Sequence, residues 1–365
     1  MFNIINLGNN VEILDVIPDW VKITSAAGVV LFANKSLRDK LGFDPQGMRT
    51  STLQKNFGDA LFPDIYIGEK FVDNNIPSGD IFYEGRHYNL LSAPMKDADG
   101  NIFAIVDIYR DDTDRKHMEY EMSLTNEMMK RDLELTKTIQ QSILPKQLRF
   151  KDILVDYMYN PCDELSGDIF DVISIAKNKL SAYICDVSGH GVPAAMVTVF
   201  VRETMRNLEN FHSSAYNLKE LHRRFLNLRL DMDHYLTMFH ILIDTDDNTI
   251  SYSNAGHNCP MFLYRNGKVE IISMTGKPVT NFFEEIDYQE KVVEFLPGDK
   301  ILLITDGITE CRNTNNEEFG EERVKSVFEK NPENVLDAIQ KEVLDFSGEE
   351  KFDDMCALFI NYEIR

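Results

Sequence analysis

The amino-acid sequence predicts an α+β protein with two domains and a helical linker. At 365 residues the chain is long for one compact domain. Residues 115–144 contain neither glycine nor proline and are rich in good helix formers. After them, strand-like runs follow one another between residues 236 and 273, which favours antiparallel pairing over a strict alternation of strand and helix. We therefore expect domains at 1–114 and 146–365, joined by a linker at 115–145.

Composition limits the possible partners. The net charge of −22 argues against non-specific nucleic-acid binding, which needs Lys and Arg to neutralise phosphates. No apolar run approaches the roughly 20 residues that span a bilayer, and the first residues lack the pattern of a signal peptide. We expect a soluble cytoplasmic protein that does not enter a membrane. The five cysteines stand singly, which favours buried free thiols over disulfides or zinc ligands.

The first 114 residues predict a small sheet with a short helix. Residues 19–34 have the pattern of a strand, a glycine turn and a second strand. A helix is expected from Lys35 to Leu41, ending near Gly42. Residues 88–95 and 102–109 have the pattern of a hairpin.

This order of elements resembles a PAS domain, a sensor fold. Both the opening that ends in Ala-Asn and the closing Pro-Met-x-Asp-x-x-Gly-x-Ile match it, and residues 111–116 resemble the exit of that fold into a signalling helix. The region has no cysteine, which excludes flavin-adduct photochemistry. His87, its only histidine, suits a surface or hydrogen-bonding role better than haem ligation. A small ligand or a docking partner protein fits the sensor, and its identity is left open.

The linker carries an approximate apolar stripe that Asn126, Thr136 and Gln140 interrupt. A helix of about 30 residues that projects from a domain usually needs a partner, so we expect a parallel dimeric coiled coil. The alternative is a helix packed on its own domain. The stripe consists of Met118, Met122, Met129, Leu133, Ile139, Ile143 and Leu144.

The third region alternates strands and helices. Strands are expected at 179–186, 236–244, 249–254, 261–264, 268–273, 300–305 and 355–362. Helices are expected at 193–209, 218–231, 321–329 and 333–345.

Four acidic stretches in this region predict a cation site. They are Ser166–Asp171, Asp186–Gly191, Thr305–Gly307 and Asp353–Met355. Each places an aspartate next to glycine or beside an apolar run, where we expect a strand to end and a loop to begin. Carboxylates delivered from several loops to one point form oxygen-ligand sites for Mg²⁺ or Mn²⁺.

In order, the motifs resemble those of the PP2C-like (PPM) serine/threonine phosphatases, in the bacterial branch of sporulation and general-stress regulators. The matching segments are 139–145, 186–196, 253–258, 302–307 and 352–355, and the resemblance covers residues 138–365. It implies a PPM α/β sandwich of central antiparallel sheets flanked by helices.

The resemblance also implies a centre of two Mn²⁺ or Mg²⁺ ions. Asp168 and Asp186 would be the core catalytic ligands, the backbone carbonyl of Val187 would add a contact, and Asp306 and Asp353 would complete one shell.

Other residues near these motifs receive no catalytic role. Asp171 is either a neighbour of the ligands or a surface residue, and the family pattern gives His190 and His257 no catalytic part. Position 188 is Ser where animal PP2C enzymes carry a His, and no matching phosphate-binding Arg is evident. The general acid and the phosphate-binding residue are therefore unassigned.

The predicted function is a sensor-regulated protein serine/threonine phosphatase. Its expected partners are a phosphorylated anti-sigma-factor antagonist (an anti-anti-sigma factor of the STAS type), a second copy of the chain, and an upstream protein that binds the sensor. One alternative is a catalytically degenerate PPM-fold scaffold. Another is a PAS-linked nucleotide cyclase, since 166–170 superficially resembles a Gly-Gly-Asp-Glu-Phe hairpin, although the Glu is missing.

Overall fold

A computed structural model describes residues 11–62, 78–146, 148–162, 164–208, 211–229, 234–348 and 353–364. The chain divides into two compact units, residues 1–128 and 129–365. The division falls inside a helix, α3, that runs continuously over Thr113–Ser142.

The first unit is a five-stranded antiparallel sheet with short helices. Its strands have the spatial order β2-β1-β5-β4-β3. The strands are β1 (Trp20–Ser25), β2 (Val30–Ala33), β3 (Gly79–Tyr83), β4 (Arg86–Lys96) and β5 (Ile102–Asp111), and the helices are a 3₁₀ turn (Val11–Val16), α1 (Lys35–Leu41) and α2 (Thr50–Leu61).

Helix α1 begins and ends where the sequence predicts. The Asn34 side chain accepts a hydrogen bond from the Leu37 N–H and caps the first turn. Gly42 ends the helix with φ of 78°, a left-handed conformation that glycine adopts without strain.

The sheet of this unit contains a buried ion pair. Lys22 on β1 and Asp107 on β5 are cross-strand partners, and Lys22 Nζ lies 3.4 Å from Asp107 Oδ2. Lys22 Nζ also donates to the Leu61 carbonyl at 2.6 Å, and both charged side chains are fully buried. Burial lowers the pKa of Lys22.

The apolar side chains of α3 are largely exposed. Met118, Met122, Met129 and Ile139 each have half or more of their surface accessible. Gln140, one of the polar residues that interrupt the apolar stripe, is buried. None of the helices in the described residues combines the length and the apolar character needed to cross a bilayer.

The second unit is a sandwich of two six-stranded antiparallel sheets. The first sheet has the order β15-β11-β10-β9-β8, with β14 paired to β10, and the second has β13-β12-β16-β17-β7-β6. The strands are β6 (Arg149–Phe150), β7 (Ile153–Asn160), β8 (Asp168–Ala176), β9 (Lys179–Val187), β10 (Tyr235–Asp244), β11 (Thr249–Ala255), β12 (Met261–Arg265), β13 (Lys268–Ile272), β14 (Val279–Thr280), β15 (Lys291–Glu294), β16 (Lys300–Ile304) and β17 (Met355–Tyr362).

Helices cover both outer faces of the sandwich. The inner faces of the two sheets pack together through side chains such as Phe170, Ile184, Leu303 and Leu358. The apolar faces of α4 and α5 cover the outer face of the first sheet, and those of α6 to α8 cover the second. The helices are α4 (Val192–Arg206), α5 (Ser214–Leu226), α6 (Asp306–Thr309), α7 (Glu321–Lys330) and α8 (Val335–Ser347).

Most predicted elements of this unit lie within a few residues of the observed ones. The predicted final residues of two helices, Glu209 and Asp231, lie outside the described residues. Four cysteines are buried free thiols, and Cys162 is exposed. The four are Cys185, Cys259, Cys311 and Cys356.

Candidate functional site

Asp168 and Asp186 stand opposite each other on adjacent strands of the first sheet. Asp168 opens β8, Asp186 is the penultimate residue of β9, and the two are cross-strand partners. Directly opposed residues of an antiparallel pair share a face, with Cβ atoms about 4.5–5.5 Å apart. That face is the one that Phe170 and Ile184 turn toward the second sheet. Asp168 thus begins a strand, whereas the sequence suggested that it would follow one.

Asp168 is held by a residue of the opposite sheet. Its Oδ2 accepts a hydrogen bond of 2.7 Å from the Thr305 hydroxyl, which lies just after β16. Asp168 is almost fully buried. Burial, and then the charge of Asp186, raise the pKa of Asp168 well above its usual value.

Asp186 is surrounded by other carboxylates. Burial raises its pKa to about 7, and the next four influences are the charges of Asp306, Asp353, Asp354 and Glu310. These residues come from the loop after β16 and the segment before β17. The two sheets therefore bring together the acidic stretches that are separated by up to almost two hundred residues in sequence.

The loop that precedes Asp168 lies against the backbone at the end of β9. Gly167 accepts a hydrogen bond from the Val187 N–H at 3.1 Å. A Cβ atom at position 167 would stand 2.8 Å from the Val187 carbonyl oxygen, closer than side chains tolerate. Glycine at this position is thus what allows the carbonyl of Val187 to approach the Asp168 loop.

On the side of the second sheet, a glycine again permits a close approach of backbone segments at the site. Asp306 opens the short helix α6, and Asp353 stands two residues before β17. A Cβ atom on Gly307 would lie 2.1 Å from the Asp354 carbonyl oxygen and 3.2 Å from the Asp353 Cβ. Asp306 is partly buried and Asp353 is exposed. Partial burial of its carboxyl group, and also the charges of Asp306 and Asp354, raise the pKa of Asp353.

Sequence reasoning missed two residues that hold the site together. Asp354 Oδ2 accepts from the Ser166 hydroxyl at 2.7 Å and from the Gly167 N–H at 2.9 Å, so it holds the turn before Asp168. Thr305 is the other, through its bond to Asp168. Each is next to a predicted ligand in the sequence, Asp354 after Asp353 and Thr305 before Asp306. That adjacency was the signal in the sequence that could have identified them.

The carboxylates of the site suit hard divalent cations, although their side chains are not arranged as a complete set of metal ligands. Within the described ranges, no three His, Cys, Asp or Glu side chains meet in an arrangement that would hold a metal ion. The charges that act most strongly on Asp186 are nevertheless all negative. Adjacent carboxylates shielded from solvent repel each other unless cations compensate them, and oxygen-only donors are those that Mg²⁺ and Mn²⁺ prefer.

The three residues without a predicted role lie in different environments. Asp171 lies outside this cluster and is fully buried, with Arg206 donating to both of its oxygens at 2.5 and 2.8 Å. His190 is exposed in the turn before α4. His257 is buried, with its ring nitrogens 3.1 Å from the Thr237 hydroxyl and 2.9 Å from the Ile304 carbonyl. Burial lowers the pKa of His257, which keeps the ring neutral.

The family model "Stage II sporulation protein E (SpoIIE)" matches residues 176–363. The match covers half of the chain, so the chain belongs to this family of PP2C-like phosphatase domains.

Two curated relatives come from Bacillus subtilis (strain 168). Phosphoserine phosphatase RsbP is 30% identical over 183 residues, which are 49% of this chain and 45% of that protein. Phosphoserine phosphatase RsbU is 27% identical over 224 residues, which are 58% of this chain and 66% of that protein. The chain therefore spans less than two thirds of the length of either relative.

Solved structures share the fold. The SiaA-PP2C domain of Pseudomonas aeruginosa has a TM-score of 0.58 at 19% identity, covering 66% of this chain and 99% of that one. A structure of the PP2C phosphatase domain and a fragment of the regulatory domain of SpoIIE from Bacillus subtilis has a TM-score of 0.50 at 15% identity, covering 79% and 81%. The second unit thus has the PP2C-like α+β sandwich that the sequence predicts.

Proposed function

We propose that this chain is a metal-dependent protein serine/threonine phosphatase. The observation that carries the proposal is the convergence of acidic loops from both sheets on the Asp168–Asp186 pair. Membership of the SpoIIE family supports it, as do two relatives that are named phosphoserine phosphatases. Phosphate monoesters are among the slowest bonds to hydrolyse without a catalyst, so an enzyme that cleaves them needs strong electrostatic stabilisation.

In this proposal Asp168, Asp186, Asp306, Asp353 and the Val187 carbonyl hold two Mn²⁺ or Mg²⁺ ions. When bound, such ions would acidify the attacking water and neutralise the phosphoryl oxygens.

Neighbouring residues fix where those ligands stand. The Thr305 hydroxyl donates to one Asp168 oxygen and leaves the other available. Asp354 anchors the Ser166–Gly167 turn and thereby sets the position of Asp168. The close contact of Gly307 with Asp354 brings the Asp306 and Asp353 loops together.

The substrate that we propose is a phosphorylated protein, specifically an anti-sigma-factor antagonist, met in the cytoplasm. The resemblance to the sporulation and general-stress branch supports this choice, as does the match to the SpoIIE family.

We further propose that the first unit is a PAS-type sensor and that α3 pairs two copies of the chain. The five-stranded antiparallel sheet and the exposed apolar side chains of α3 support this proposal. The end of α3 contacts the candidate site, because Gln140 binds the backbone of Ser166. A sensor or an upstream partner that shifts α3 would therefore act on the turn before Asp168.

Hydrolysis of p-nitrophenyl phosphate by the full chain tests the proposal. Activity should depend on added Mn²⁺ or Mg²⁺, and Asp186→Asn and Asp306→Asn should each lower kcat at least a hundredfold while the fold is kept. Asp345→Asn, an exposed acid on α8, serves as a matched control and should be fully active.

A degenerate scaffold is the competing function. A scaffold of this kind would bind metal, which calorimetry can verify, but would release no p-nitrophenol with either ion. That result would refute the proposed phosphatase activity. A nucleotide cyclase has no support, because the second unit has the PP2C-like fold.

A further inference from the structure

A cavity of about 490 Å³ lies where the end of α3 meets β8 and α4. Its volume is within the range of small-molecule sites, about 300–1,000 Å³. Its charged lining consists of Lys146, Arg202 and Arg206, and among the described residues that line it none is acidic. That all of its charged residues are cationic contrasts with the net charge of −22 of the chain.

Nearby carboxylates do not cancel this charge. Arg206 binds both oxygens of the buried Asp171. Arg202 Nη1 lies 3.4 Å from Glu203, whose side chain is 60% exposed and therefore well screened by solvent. Three cations thus face one buried and one exposed acid, and the cavity keeps a positive charge.

Arg202 has an unused donor. Its Nε is buried and has no hydrogen-bond partner among the described residues. The nearest carboxylate oxygen, on Asp171, is 3.7 Å away, beyond hydrogen-bond distance. A buried donor without an acceptor is destabilising, and a small shift of the Arg202 side chain toward an anion in the cavity would supply one.

The rest of the lining mixes apolar side chains with the polar Ser142 and Ser174. Leu144, Phe150, Val172 and Ile173 lie beside the three cations. A ligand that matches both parts carries a negative head group and an apolar body. We propose that this cavity binds a small organic anion, a phosphate or carboxylate attached to an apolar group.

Such a ligand would join three elements of the second unit. Residues 142–146 follow or end α3, Ile173 belongs to the strand that Asp168 opens, and Arg202 belongs to α4. The bound anion would therefore hold the end of the linker helix against the strand that carries a proposed metal ligand.

Titration calorimetry of the full chain with phenylphosphonate tests the proposal, because its C–P bond is not hydrolysed. EDTA is present so that the candidate metal centre cannot recruit the anion. Saturable one-site binding is expected, weakened about tenfold or more in Arg202→Gln through loss of a charge-assisted hydrogen bond. Inorganic phosphate, which lacks the apolar body, should bind several times more weakly than phenylphosphonate.

Two controls define the site. Lys341→Gln removes a positive charge from the exposed surface of α8 and should leave the affinity unchanged, as should Asp186→Asn. If Arg202→Gln does not fold, Lys146→Gln takes its place as the cavity variant in the binding measurement. Lys146 is exposed, so its substitution should leave the fold intact. Absence of saturable binding, equal affinity in the cavity variants, or loss of binding in Asp186→Asn would each overturn the proposal. Equal affinity for inorganic phosphate would overturn the role of the apolar residues.

Discussion

Gln140, two residues before the end of α3, forms a pair of hydrogen bonds with the backbone of Ser166. Its Nε2 donates to the Ser166 carbonyl at 2.7 Å, and its Oε1 accepts from the Ser166 N–H at 3.1 Å. Nε2 also lies 3.3 Å from the Thr198 hydroxyl on α4. One amide side chain thus joins the linker helix to the turn that precedes Asp168.

We predict that Gln140→Met lowers phosphatase activity about tenfold or more. The side chains are similar in size, but Met leaves two buried backbone groups of Ser166 without partners, a cost of about 1–3 kcal/mol each. Activity on p-nitrophenyl phosphate and the melting temperature measure the two effects. Gln141→Met changes an exposed neighbour and should alter neither. Full activity in Gln140→Met would show that the contact does not position the turn.

Thr305→Val should weaken metal binding, while Thr305→Ser should preserve it. Val keeps the shape but removes the hydroxyl that donates to Asp168 and accepts from the Cys356 N–H at 3.0 Å. Ser retains that hydroxyl. We expect the Mn²⁺ concentration at half-maximal activity to rise about tenfold in the Val variant only. An equal response of both variants would mean that the hydroxyl has no part in orienting Asp168.

Asp186→Asn should stabilise the protein in EDTA although it abolishes activity. The substitution removes one charge from a group of mutually repelling carboxylates. A gain of about 1 kcal/mol corresponds to a rise in melting temperature of about 2–4 °C. Excess Mn²⁺ should raise the melting temperature of the unmodified chain and leave the variant unchanged. A lower melting temperature in EDTA would contradict the repulsion.

His240 should make stability depend on pH. Its Nδ1 lies 2.7 Å from the Ser214 hydroxyl, which itself donates to the His240 carbonyl, so Nδ1 carries the proton. Nε2 then accepts from Ser181 at 2.9 Å. Burial lowers the pKa of His240 to about 3, from 6.5.

Because the folded pKa is depressed, the contribution of His240 to stability is complete above pH 6.5 and is lost as the pH falls toward 3. About 2 kcal/mol should be lost by pH 5. Urea unfolding at pH 7 and pH 5 measures it, and His240→Gln should show a smaller difference between the two values. Equal differences would mean that His240 does not titrate in this way.

The sequence predicted best those elements whose pattern is local. Strand β17 (Met355–Tyr362) and helix α1 (Lys35–Leu41) have the predicted bounds. Strand β8 was not predicted, because Asp168 and Asp171 interrupt its apolar pattern. Asp171 is buried only because Arg206, 35 residues later, pairs with it. That compensation depends on packing between elements and leaves no local signal.

The candidate site shows the same difference between local patterns, which the sequence reveals, and long-range contacts, which it does not. The motifs identified the acidic residues, and the resemblance implied their order of importance. Thr305 and Asp354 were missed because their partners lie 137 and 187 or 188 residues away in the chain. Hydrogen bonds of that kind exist only once the two sheets have packed.

The origin of the carboxylates gives the site a mechanical role. Asp168 and Asp186 belong to one sheet, and Asp306 and Asp353 flank strands of the other. In our proposal the ions would therefore link the two sheets to each other at the edge of the sandwich. Any force that slides one sheet over the other would separate the proposed ligands. Catalytic activity would therefore be lost whenever the two sheets are out of alignment.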